Sequence, residues 1–365
     1  MRTIFVRATP QGQEKVTGLG VRDRLLRQLC AFGHTTDIVY LVSPGCSGKI
    51  IEILANEKHL QIRCISENIA THLQKSVGEH LCFTDNRVYL DEDIQAVLAG
   101  HKTEAPGMEI QANNHRQIEN ILLSHLSKPT DGIVSRRINR PLSTMMSRYL
   151  VRLGLPPVVF TFLTALIASL MGWVLFSGSP HALLLGAGLF QLASVVDGID
   201  GEIARLTYQS SKRGARLDTS VDMMTNVLFF TGFLYALGQT LPPDDAQGLM
   251  VVSKWIIGLA LLGIGSMSAL LYFGPGGGSF DILGTTIKKR LNGKPFANQI
   301  FSNAERLFKR DFFALLFFIL ALFGQSAVIP ALLLFGLVVW NLAIWLNAGQ
   351  ILQSPATTTS SAPQI

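Results

Sequence analysis

Apolar runs close to the length that crosses a bilayer recur through the second half of this chain. The runs "VVFTFLTALIASLMGWVLF" and "AVIPALLLFGLVVWNLAIWL" are two examples, and a helix needs roughly 20 apolar residues to span the hydrocarbon core. A helix satisfies its own backbone hydrogen bonds, which lipid cannot do for it. The runs predict six membrane helices, at residues 156–177, 181–204, 217–239, 249–273, 312–325 and 327–347.

The first part of the chain has the pattern of a soluble domain. A strand-like "TIFVRA" is followed by "GLGVRDRLLRQLCAFG", which has helical periodicity, and then by "TDIVYLVS". This order predicts an α/β sandwich. We expect a soluble α/β domain at 1–125, a linker with an interfacial amphipathic helix at 126–154, an all-α six-helix transmembrane domain at 155–350 and a disordered tail at 351–365.

The charges of the loops predict an orientation. Sixteen Lys and Arg residues lie before the first span or in the second–third and fourth–fifth connections, whereas "SGSP", "LPPDDAQG" and "GQSA" contain none. Cytoplasmic loops are the ones enriched in Lys and Arg. The N-terminal "MRTIFVRATPQGQEK" lacks the long apolar segment of a signal peptide. We therefore expect a multi-pass protein of the inner or plasma membrane with both termini in the cytoplasm.

The net charge of +6 raises the question of an anionic partner. The basic residues fall in short clusters beside apolar runs, where the headgroups of anionic lipids in the bilayer are the expected partner and nucleic acid is not. The four cysteines, Cys30, Cys46, Cys64 and Cys82, all lie in the soluble part without a Cys-x-x-Cys spacing. We expect them to be buried free thiols.

Four aspartates stand out in the stretch "VVDGIDGEIARLTYQSSKRGARLDTSVD" at 195–222. Asp197 and Asp200 are three residues apart and Asp218 and Asp222 are four apart, so each pair shares one face of a helix. Carboxylates brought together at the edge of a bilayer repel one another and require a positive charge. Hard oxygen ligands without His or Cys favour Mg²⁺ or Mn²⁺, which often also bind substrate phosphates. The alternative is a solvated loop with unrelated carboxylates.

This spacing resembles the signature of the CDP-alcohol phosphatidyltransferase family. The eight fixed positions D-x-x-D-G-x-x-A-R…G-x-x-x-D-x-x-x-D are matched by Asp197, Asp200, Gly201, Ala204, Arg205, Gly214, Asp218 and Asp222. Members of that family transfer a phospho-alcohol group from a CDP-linked donor to the hydroxyl of an acceptor and release CMP. The resemblance covers roughly residues 126–350 and includes the six-helix pattern.

The resemblance implies a role for each matched residue. Asp197, Asp200 and Asp218 would be metal ligands, and Asp222 would be both a ligand and the general base. The CDP moiety would be bound by Gly201, Ala204, Arg205, Gly214 and Thr161. One position departs from the family, because Val158 follows Pro157 where members often carry Asn. We also expect a homodimer.

Basic residues beside the cytoplasmic end of the cluster predict an acceptor that carries a phosphate. The candidates are Arg213, Arg216, Lys288, Lys289 and Arg310. Guanidinium and ammonium groups bind phosphate by charge-assisted hydrogen bonds. The alternative is that these residues only set the membrane orientation and contact anionic lipid.

The soluble part resembles a nucleotidyltransferase domain of Rossmann-like type. The segment "CFTDNRVYLDEDI" places Asp85 where such domains have a metal-binding aspartate at the end of a strand. However, "ATPQGQEKVTGLG" has too few early glycines for a loop that wraps a triphosphate with backbone N–H groups. We expect a degenerate domain. The linker "SKPTDGIVSRRINRPLS" resembles that of the di-myo-inositol phosphate phosphate synthase branch, whose members often carry a fused cytidylyltransferase; a basic juxtamembrane connector of no particular branch is the alternative.

Two other function classes compete with a transferase. A cation or metabolite transporter could use the aspartates to coordinate its cargo, with the soluble domain as a regulator. A scaffold protein could bind partners through its soluble domain, and changing the aspartates would then cause no loss of function. A transporter site is expected near the middle of the bilayer, whereas these aspartates lie where apolar runs meet a basic loop, which favours the enzyme.

Overall fold

The computed structural model describes residues 2–34, 37–44, 49–77, 80–101, 105–111, 113–126, 131–273, 286–287 and 309–353. Within them, an N-terminal α/β part precedes a C-terminal helical part, as the sequence predicts. The strands of the first part are β1 Thr3–Arg7, β2 Lys15–Val16, β3 Leu19–Gly20, β4 Ile38–Val42, β5 Ile50–Ala55, β6 Lys58–Ile65, β7 His80–Thr84, β8 Arg87–Val88 and β9 Met108–Glu109. Its helices are α1 Val21–Phe32, α2 Glu67–Val77, α3 Asp91–Leu98 and α4 His115–Ser124.

Five of the strands form one mixed sheet in the order β5-β6-β4-β1-β7. All neighbours are parallel except the β5–β6 hairpin. Alternate residues of β1 enter the two opposite layers: Ile4 packs with Leu25 of α1, whereas Phe5 packs with Ala70 of α2. Because side chains alternate along a strand, α1 and α2 cover opposite faces and the part has three layers.

The strand order reverses between β1 and β7, and in open α/β sheets ligands bind in the crevice beyond the strand ends at such a point. Here the turn Pro10–Gln13 follows β1, and its Gly12 lies against the carboxylate of Asp85, which follows β7. Thr9 donates its backbone N–H (2.6 Å) and its hydroxyl (2.7 Å) to Asp85 Oδ1, and Arg22 Nε donates to Oδ2 (2.5 Å). A Cβ on Gly12 would collide with the same carboxylate. Asp85, which lies at a strand end as predicted, is thus fully enclosed.

The helical part contains α5 Arg140–Leu150, α6 Val158–Phe176, α7 Ala182–Thr207, α8 Lys212–Gly238, α9 Pro243–Phe273, α10 Arg310–Leu322 and α11 Ile329–Gln353. Within the described ranges, five segments are long and apolar enough to cross a membrane: Val158–Phe176, Ala182–Thr207, Lys212–Gly238, Pro243–Leu270 and Ser326–Gly349. The remaining predicted span, 312–325, corresponds to α10. Its 13 residues rise only about 20 Å, less than the roughly 30 Å of a hydrocarbon core.

Aromatic residues hold these helices together. Phe190 of α7 stacks on Phe229 of α8 with ring centroids 4.1 Å apart, and Phe229 stacks on Phe317 of α10 at 5.9 Å. The outer surface is apolar as well, since Trp173 is 71% exposed and Leu346 is 72% exposed. Helices that are apolar on all sides are typical of membrane proteins, and the five apolar helices suggest that this chain is one.

The α5 helix has the reverse arrangement of a helix on a soluble protein. Its apolar residues Leu142, Met145 and Tyr149 are exposed, whereas Ser143 and Ser147 are buried. The predicted amphipathic periodicity is therefore present, with the polar face turned toward the protein. Such an orientation suits a helix whose apolar face lies in a membrane interface.

The cysteine prediction holds in part. Cys30 and Cys64 are buried and outside any disulfide within the described part of the chain, as expected, but Cys82 is exposed. It lies on the edge strand β7, which has a neighbouring strand on one side only, and there the prediction was wrong. Cys46 lies outside the described residues.

Candidate active site

The helices α7 and α8 are joined by a short polar connection at one end of the helical part. Tyr208 ends α7 in the left-handed conformation, with φ 56° and ψ 40°. Ser211 then begins α8, because its side chain accepts a hydrogen bond of 3.0 Å from the N–H of Gly214 and so caps the helix. The two aspartate-bearing stretches lie on either side of this connection.

Three of the four predicted carboxylates converge. Oxygens of Asp197, Asp218 and Asp222 all lie within 4.8 Å of one another, and the three side chains are partly buried. Asp218 and Asp222 meet Asp197 because residues four apart point from the same face of α8. Carboxylates from two neighbouring helices that lie this close together can bind one cation jointly.

Asp200 lies one turn further along α7 and has a different partner. Its Oδ2 accepts a 2.5 Å hydrogen bond from the hydroxyl of Thr161 on α6. Both residues are buried, with Asp200 8% and Thr161 4% exposed. Thr161 therefore contacts Asp200 directly. Asp200 itself does not belong to the group formed by Asp197, Asp218 and Asp222.

Arg310 was predicted to lie beside the cytoplasmic end of the aspartate cluster. In the structure it lies within the cluster, between Asp197 and Asp222. Its Nη2 donates to Asp197 Oδ2 at 2.6 Å, and its Nη1 donates to Asp222 Oδ1. The Arg310 side chain is only 15% exposed. The next residue, Asp311, accepts a 2.6 Å hydrogen bond from the backbone N–H of Ser135. The start of α10 thus ties α7 and α8 to the segment that leads into α5.

The other predicted site residues are spread over this end of the protein. Gly201 lies close to the guanidinium of Arg205, since an added Cβ would be 3.3 Å from Arg205 Nη1. Among the residues that the structure describes, Arg205 Nε is buried without a hydrogen-bond partner. Ala204 is partly buried, whereas Arg213 and Arg216 are exposed. Lys288 and Lys289 lie outside the described residues.

The donor set fits a hard divalent cation. Carboxylate oxygens are the ligands that Mg²⁺ and Mn²⁺ prefer. A further oxygen follows on α8, where Asn226 stands four residues after Asp222 and its Oδ1 is buried without a hydrogen-bond donor in the described part of the chain. A buried acceptor of this kind requires a partner, and the face on which it lies is that of Asp218 and Asp222.

The structure adds one charged residue that the sequence analysis did not select. Glu202 is fully buried on α7. Its Oε1 accepts from Arg140 Nη1 (2.9 Å) and Ser143 (2.6 Å), and its Oε2 accepts from Ser147 (2.7 Å). Arg140 also pairs with Asp131. The serines at a four-residue spacing within "RPLSTMMSRYL" are the signal that could have indicated a polar face on α5.

Comparison with known protein families settles the class. The family model for CDP-alcohol phosphatidyltransferases matches residues 155–346. The chain belongs to this family. The resemblance that the aspartate spacing suggested is thereby confirmed, and the matched region contains α6, both aspartate-bearing helices, α9, α10 and most of α11. Members of the CDP-alcohol phosphatidyltransferase family are transferases that use a CDP-alcohol donor and a hydroxyl acceptor.

Relatives within the family point to one branch. The chain is 35% identical over 173 residues to a bifunctional IPC transferase and DIPP synthase of Rubrobacter xylanophilus, an alignment that covers 46% of this chain and 38% of the relative. Proteins of the same name from Aquifex aeolicus and Thermococcus kodakarensis are 38% and 39% identical over 116 and 108 residues. Those alignments cover 31% and 29% of this chain, and 24% and 23% of the relatives. The matches agree with the branch that the linker sequence resembles.

We predict that Glu202→Ala lowers both thermal stability and CMP release. The change leaves Arg140, Ser143 and Ser147 without their shared acceptor in a buried place, and removing one partner of a buried pair costs about 3 kcal/mol or more. Because α5 is then no longer held against α7, Asp197 and Asp200 lose their fixed position. Thermal unfolding in detergent and the rate of CMP release measure the two effects.

Glu119→Ala is the control for this change. Glu119 also pairs with an arginine, Arg152; the Glu119 side chain is 13% exposed, but that of Arg152 is 54% exposed, and an ion pair that reaches solvent contributes less than a fully buried one. Both quantities should stay close to their original values in the control. Equal behaviour of the two variants would show that the Glu202 contacts do not position the aspartates.

Proposed function

We propose that this chain is a membrane-embedded, metal-dependent CDP-alcohol phosphotransferase. It transfers a phospho-alcohol group, either phosphatidyl or polyol phosphate, to an acceptor hydroxyl and releases CMP. The observation that carries the proposal is the convergence of Asp197, Asp218 and Asp222 from two helices within the matched region. A scaffold protein would not need three carboxylates beside a buried arginine, and each of these charged groups is costly to desolvate.

The metal ligands in this proposal are Asp197, Asp200, Asp218 and Asp222, with Mg²⁺ or Mn²⁺ as the ion. When bound, such an ion neutralises the diphosphate of the donor and stabilises the charge of the departing CMP. The fourth carboxylate, Asp200, is oriented by the hydroxyl of Thr161. This hydrogen bond fixes the Asp200 oxygens on the side of α7 that faces α6.

Asp222 is proposed as the general base. The acceptor hydroxyl attacks the phosphorus of the donor, a new O–P bond forms, the bond from that phosphorus to the oxygen of CMP breaks, and the hydroxyl proton goes to the Asp222 carboxylate. The Asp222 side chain is 26% exposed, so an acceptor from solution can reach it. Arg310 donates to the same carboxylate and holds it beside Asp197.

The CDP moiety is proposed to lie against Gly201, Ala204, Arg205, Gly214 and Thr161. Gly201 and Ala204 have small side chains, which allow close approach of a ligand to α7. Arg205 carries a buried Nε without a partner among the described residues, and a guanidinium matches the geometry of phosphate oxygens. These properties support a donor site beside the carboxylates.

A location in the inner or plasma membrane, with both termini and the site in the cytoplasm, is part of the proposal. The exposed apolar face of α5 supports it, since Leu142 and Tyr149 point away from the protein next to the basic linker. The same reasoning assigns residues 155–350 to the bilayer and 126–154 to its surface. A homodimer is expected, with the soluble part of each copy in the cytoplasm.

A transporter is the competing function, and the position of the carboxylates argues against it. Asp218 stands six residues after the first residue of α8, Lys212, which is only about 9 Å along the helix axis. A transported ion is expected near the middle of the bilayer. The aspartates instead lie near the polar connection between α7 and α8, where soluble substrates arrive.

The acceptor is proposed to be a hydrophilic alcohol that carries a phosphate. The relatives are named as bifunctional IPC transferases and DIPP synthases, which supports a polyol phosphate and an inositol-phosphodiester product. Arg310, Arg213, Arg216 and Lys288 are the proposed contacts. Arg310 is the best candidate, because it reaches the carboxylate that would activate the acceptor hydroxyl.

The N-terminal part, residues 1–125, is proposed to be a nucleotidyltransferase-like domain that has lost its catalytic site. The turn Pro10–Gln13 packs its Gly12 against Asp85, at the strand ends where a nucleotide is expected to bind in such a sheet. Asp85 is enclosed by donors from Thr9 and Arg22, so its carboxylate serves the fold. These contacts support a structural role for the residue that the sequence suggests as a metal ligand.

We predict that Asp222→Asn nearly abolishes CMP release from CDP-alcohols. The change removes one charge and the proton acceptor while it nearly preserves shape, and general-base catalysis alone contributes about 10²-fold to 10⁴-fold. Labelled CMP is measured for a panel of CDP-alcohols and acceptors with Mg²⁺ or Mn²⁺ present. Asp244→Asn is the matched control and should keep full activity, because Asp244 lies in the first turn of α9, next to the end of α8 that is remote from Asp218 and Asp222.

Chelation of divalent cations should stop the same reaction, and re-addition of Mg²⁺ or Mn²⁺ should restore it. Full activity of Asp222→Asn in the presence of metal would contradict the assigned role. A reaction that survives chelation would contradict the metal requirement.

We predict that Arg310→Gln raises the apparent KM for a phosphorylated acceptor. A guanidinium binds phosphate by paired hydrogen bonds that Gln cannot reproduce, and loss of one such contact costs about 2 kcal/mol. Steady-state kinetics with each active acceptor, at saturating metal, measure the effect. An unchanged KM together with a raised metal requirement would assign Arg310 to the carboxylate cluster alone.

We predict that the N-terminal domain releases no pyrophosphate from CTP and an alcohol phosphate. In a Cys46→Ser and Cys82→Ser background, Asp85→Ala should instead speed up modification of the buried thiols by a thiol reagent. Loss of a buried partner destabilises the sheet by about 3 kcal/mol, which corresponds to roughly a hundredfold change in opening. Pyrophosphate release that is lost in Asp85→Ala would overturn the structural assignment.

A further inference from the structure

The connection between α7 and α8 is embedded in the α/β domain. Tyr208, which ends α7, is only 5% exposed although it belongs to a loop. Its ring packs with Cys30, Ala31 and Ala55 and meets the ring of Phe32 edge-on at 6.4 Å. A segment of the helical part thus inserts a large side chain into the core of the other domain.

A charged group of the α/β domain fixes the end of that side chain. The hydroxyl of Tyr208 donates to Asp91 Oδ1 at 2.5 Å, and Gln28 donates to the same oxygen at 2.7 Å. The guanidinium of Arg24 lies over the ring at 5.9 Å. Burial, and then the negative charge of Asp91, raise the pKa of Tyr208 well above its ordinary value, so the hydroxyl keeps the proton that it donates.

The backbone of Tyr208 adopts an unfavourable left-handed conformation where it makes this contact. Tyr208 is one of four non-glycine residues with positive φ among the described residues, in a position where glycine usually ends a helix. A left-handed conformation costs a non-glycine residue about 1 kcal/mol. The burial of the ring and its hydrogen bond offset that cost, and they do so only while the α/β domain is in place.

The tip of the β5–β6 hairpin holds the backbone on both sides of Tyr208. Asn56 donates its N–H to Tyr208 O at 3.0 Å, and Glu57 Oε1 accepts from the N–H of Lys212 at 2.6 Å. Arg27 donates to Thr207 O at 2.6 Å. A cation therefore meets the carbonyl end of α7 and a carboxylate meets the amide end of α8, each complementing the helix dipole.

The aspartates of α8 depend on this anchor more than on packing. The first buried side chain of α8 is Thr225, so the stretch from Lys212 through Asp222 has no side chain in the core. Asp218 and Asp222 lie only about 9 Å and 15 Å along the axis from the held end of the helix. A shift of that end would change their distance from Asp197 on α7.

We propose that the α/β domain acts as a clamp on residues 207–212, and that this clamp sets the spacing between the aspartates of α7 and those of α8. Tyr208, Asp91 and Glu57 are positioning residues of the metal site. In this proposal the α/β domain contributes to the reaction by positioning the metal site, without catalysing a step itself. The inference rests on the proposed metal site.

The test is the affinity of the purified full-length protein for Mn²⁺, followed by the loss of the free-ion signal in electron paramagnetic resonance. Tyr208→Ala, Asp91→Ala and Glu57→Gln should each raise the dissociation constant at least about threefold, because small displacements of ligands have large effects. Tyr208→Phe keeps the ring and should lie between Tyr208→Ala and the original protein. CMP release should fall mainly in kcat and recover in part at high Mn²⁺.

Two controls separate the clamp from simple unfolding. Glu67→Gln changes a carboxylate that is 56% exposed on α2, at the opposite face of the sheet, and should leave the affinity unchanged. Reactivity of the buried Cys64 reports whether the sheet stays closed. If Tyr208→Ala opens the sheet, the Mn²⁺ affinity of Glu57→Gln is the result that tests the clamp. Glu57 is exposed at a hairpin tip, so its substitution leaves the core of the sheet unchanged.

The outcomes distinguish the two proposals. If the original protein binds no Mn²⁺, or if Asp222→Asn binds it equally well, the proposed metal site is wrong. If the original protein binds Mn²⁺ through the aspartates but Glu57→Gln and Asp91→Ala bind it with unchanged affinity, the clamp is wrong while the transferase proposal stands.

Discussion

The repulsion among carboxylates at one end of α7 and α8 is the constraint around which this structure is organised. Asp197, Asp218 and Asp222 approach within 4.8 Å, an arrangement that is unfavourable unless positive charge or hydrogen-bond donors compensate. Arg310 supplies one guanidinium to two of them. Thr161 does the same for Asp200 with a neutral hydroxyl. The compensating groups thus come from α10 and α6, the two helices that pack against α7 beside these carboxylates.

The same end of the protein is braced from two directions. From the membrane side, Glu202 binds α5 through Arg140, Ser143 and Ser147, so the helix proposed to lie on the lipid surface is tied to the helix that carries Asp197. From the other side, the α/β domain holds Tyr208 and Lys212. A site that must bring together groups from separate helices requires such supports, because its geometry tolerates little displacement.

Patterns within a single helix were predictable from the sequence, whereas partners across the chain were not. The phasing of Asp218 and Asp222 follows from their spacing, and the apolar runs indicate α6 and α11. The ends of α7 and α8 were predicted too far from their connection, at 204 and 217, because the polar stretches around Arg205 and Arg213 continue the helices without apolar periodicity. Tyr208 lacks the glycine signal of a helix end, and the contacts of Glu202 join residues more than 50 positions apart. Arg310 was selected for its charge, but its place between two carboxylates depends on packing.

In the proposed reaction, the α7 and α8 carboxylates hold a cation against the diphosphate of a CDP-alcohol. Electron–nuclear double resonance of Mn²⁺ bound to the full-length protein, with a CDP-alcohol present, measures this directly through the coupling of the metal to phosphorus. A strong ³¹P coupling should appear with the donor and disappear in Asp218→Asn and Asp222→Asn. Bound Mn²⁺ without ³¹P coupling, or a coupling that persists in both variants, would contradict it.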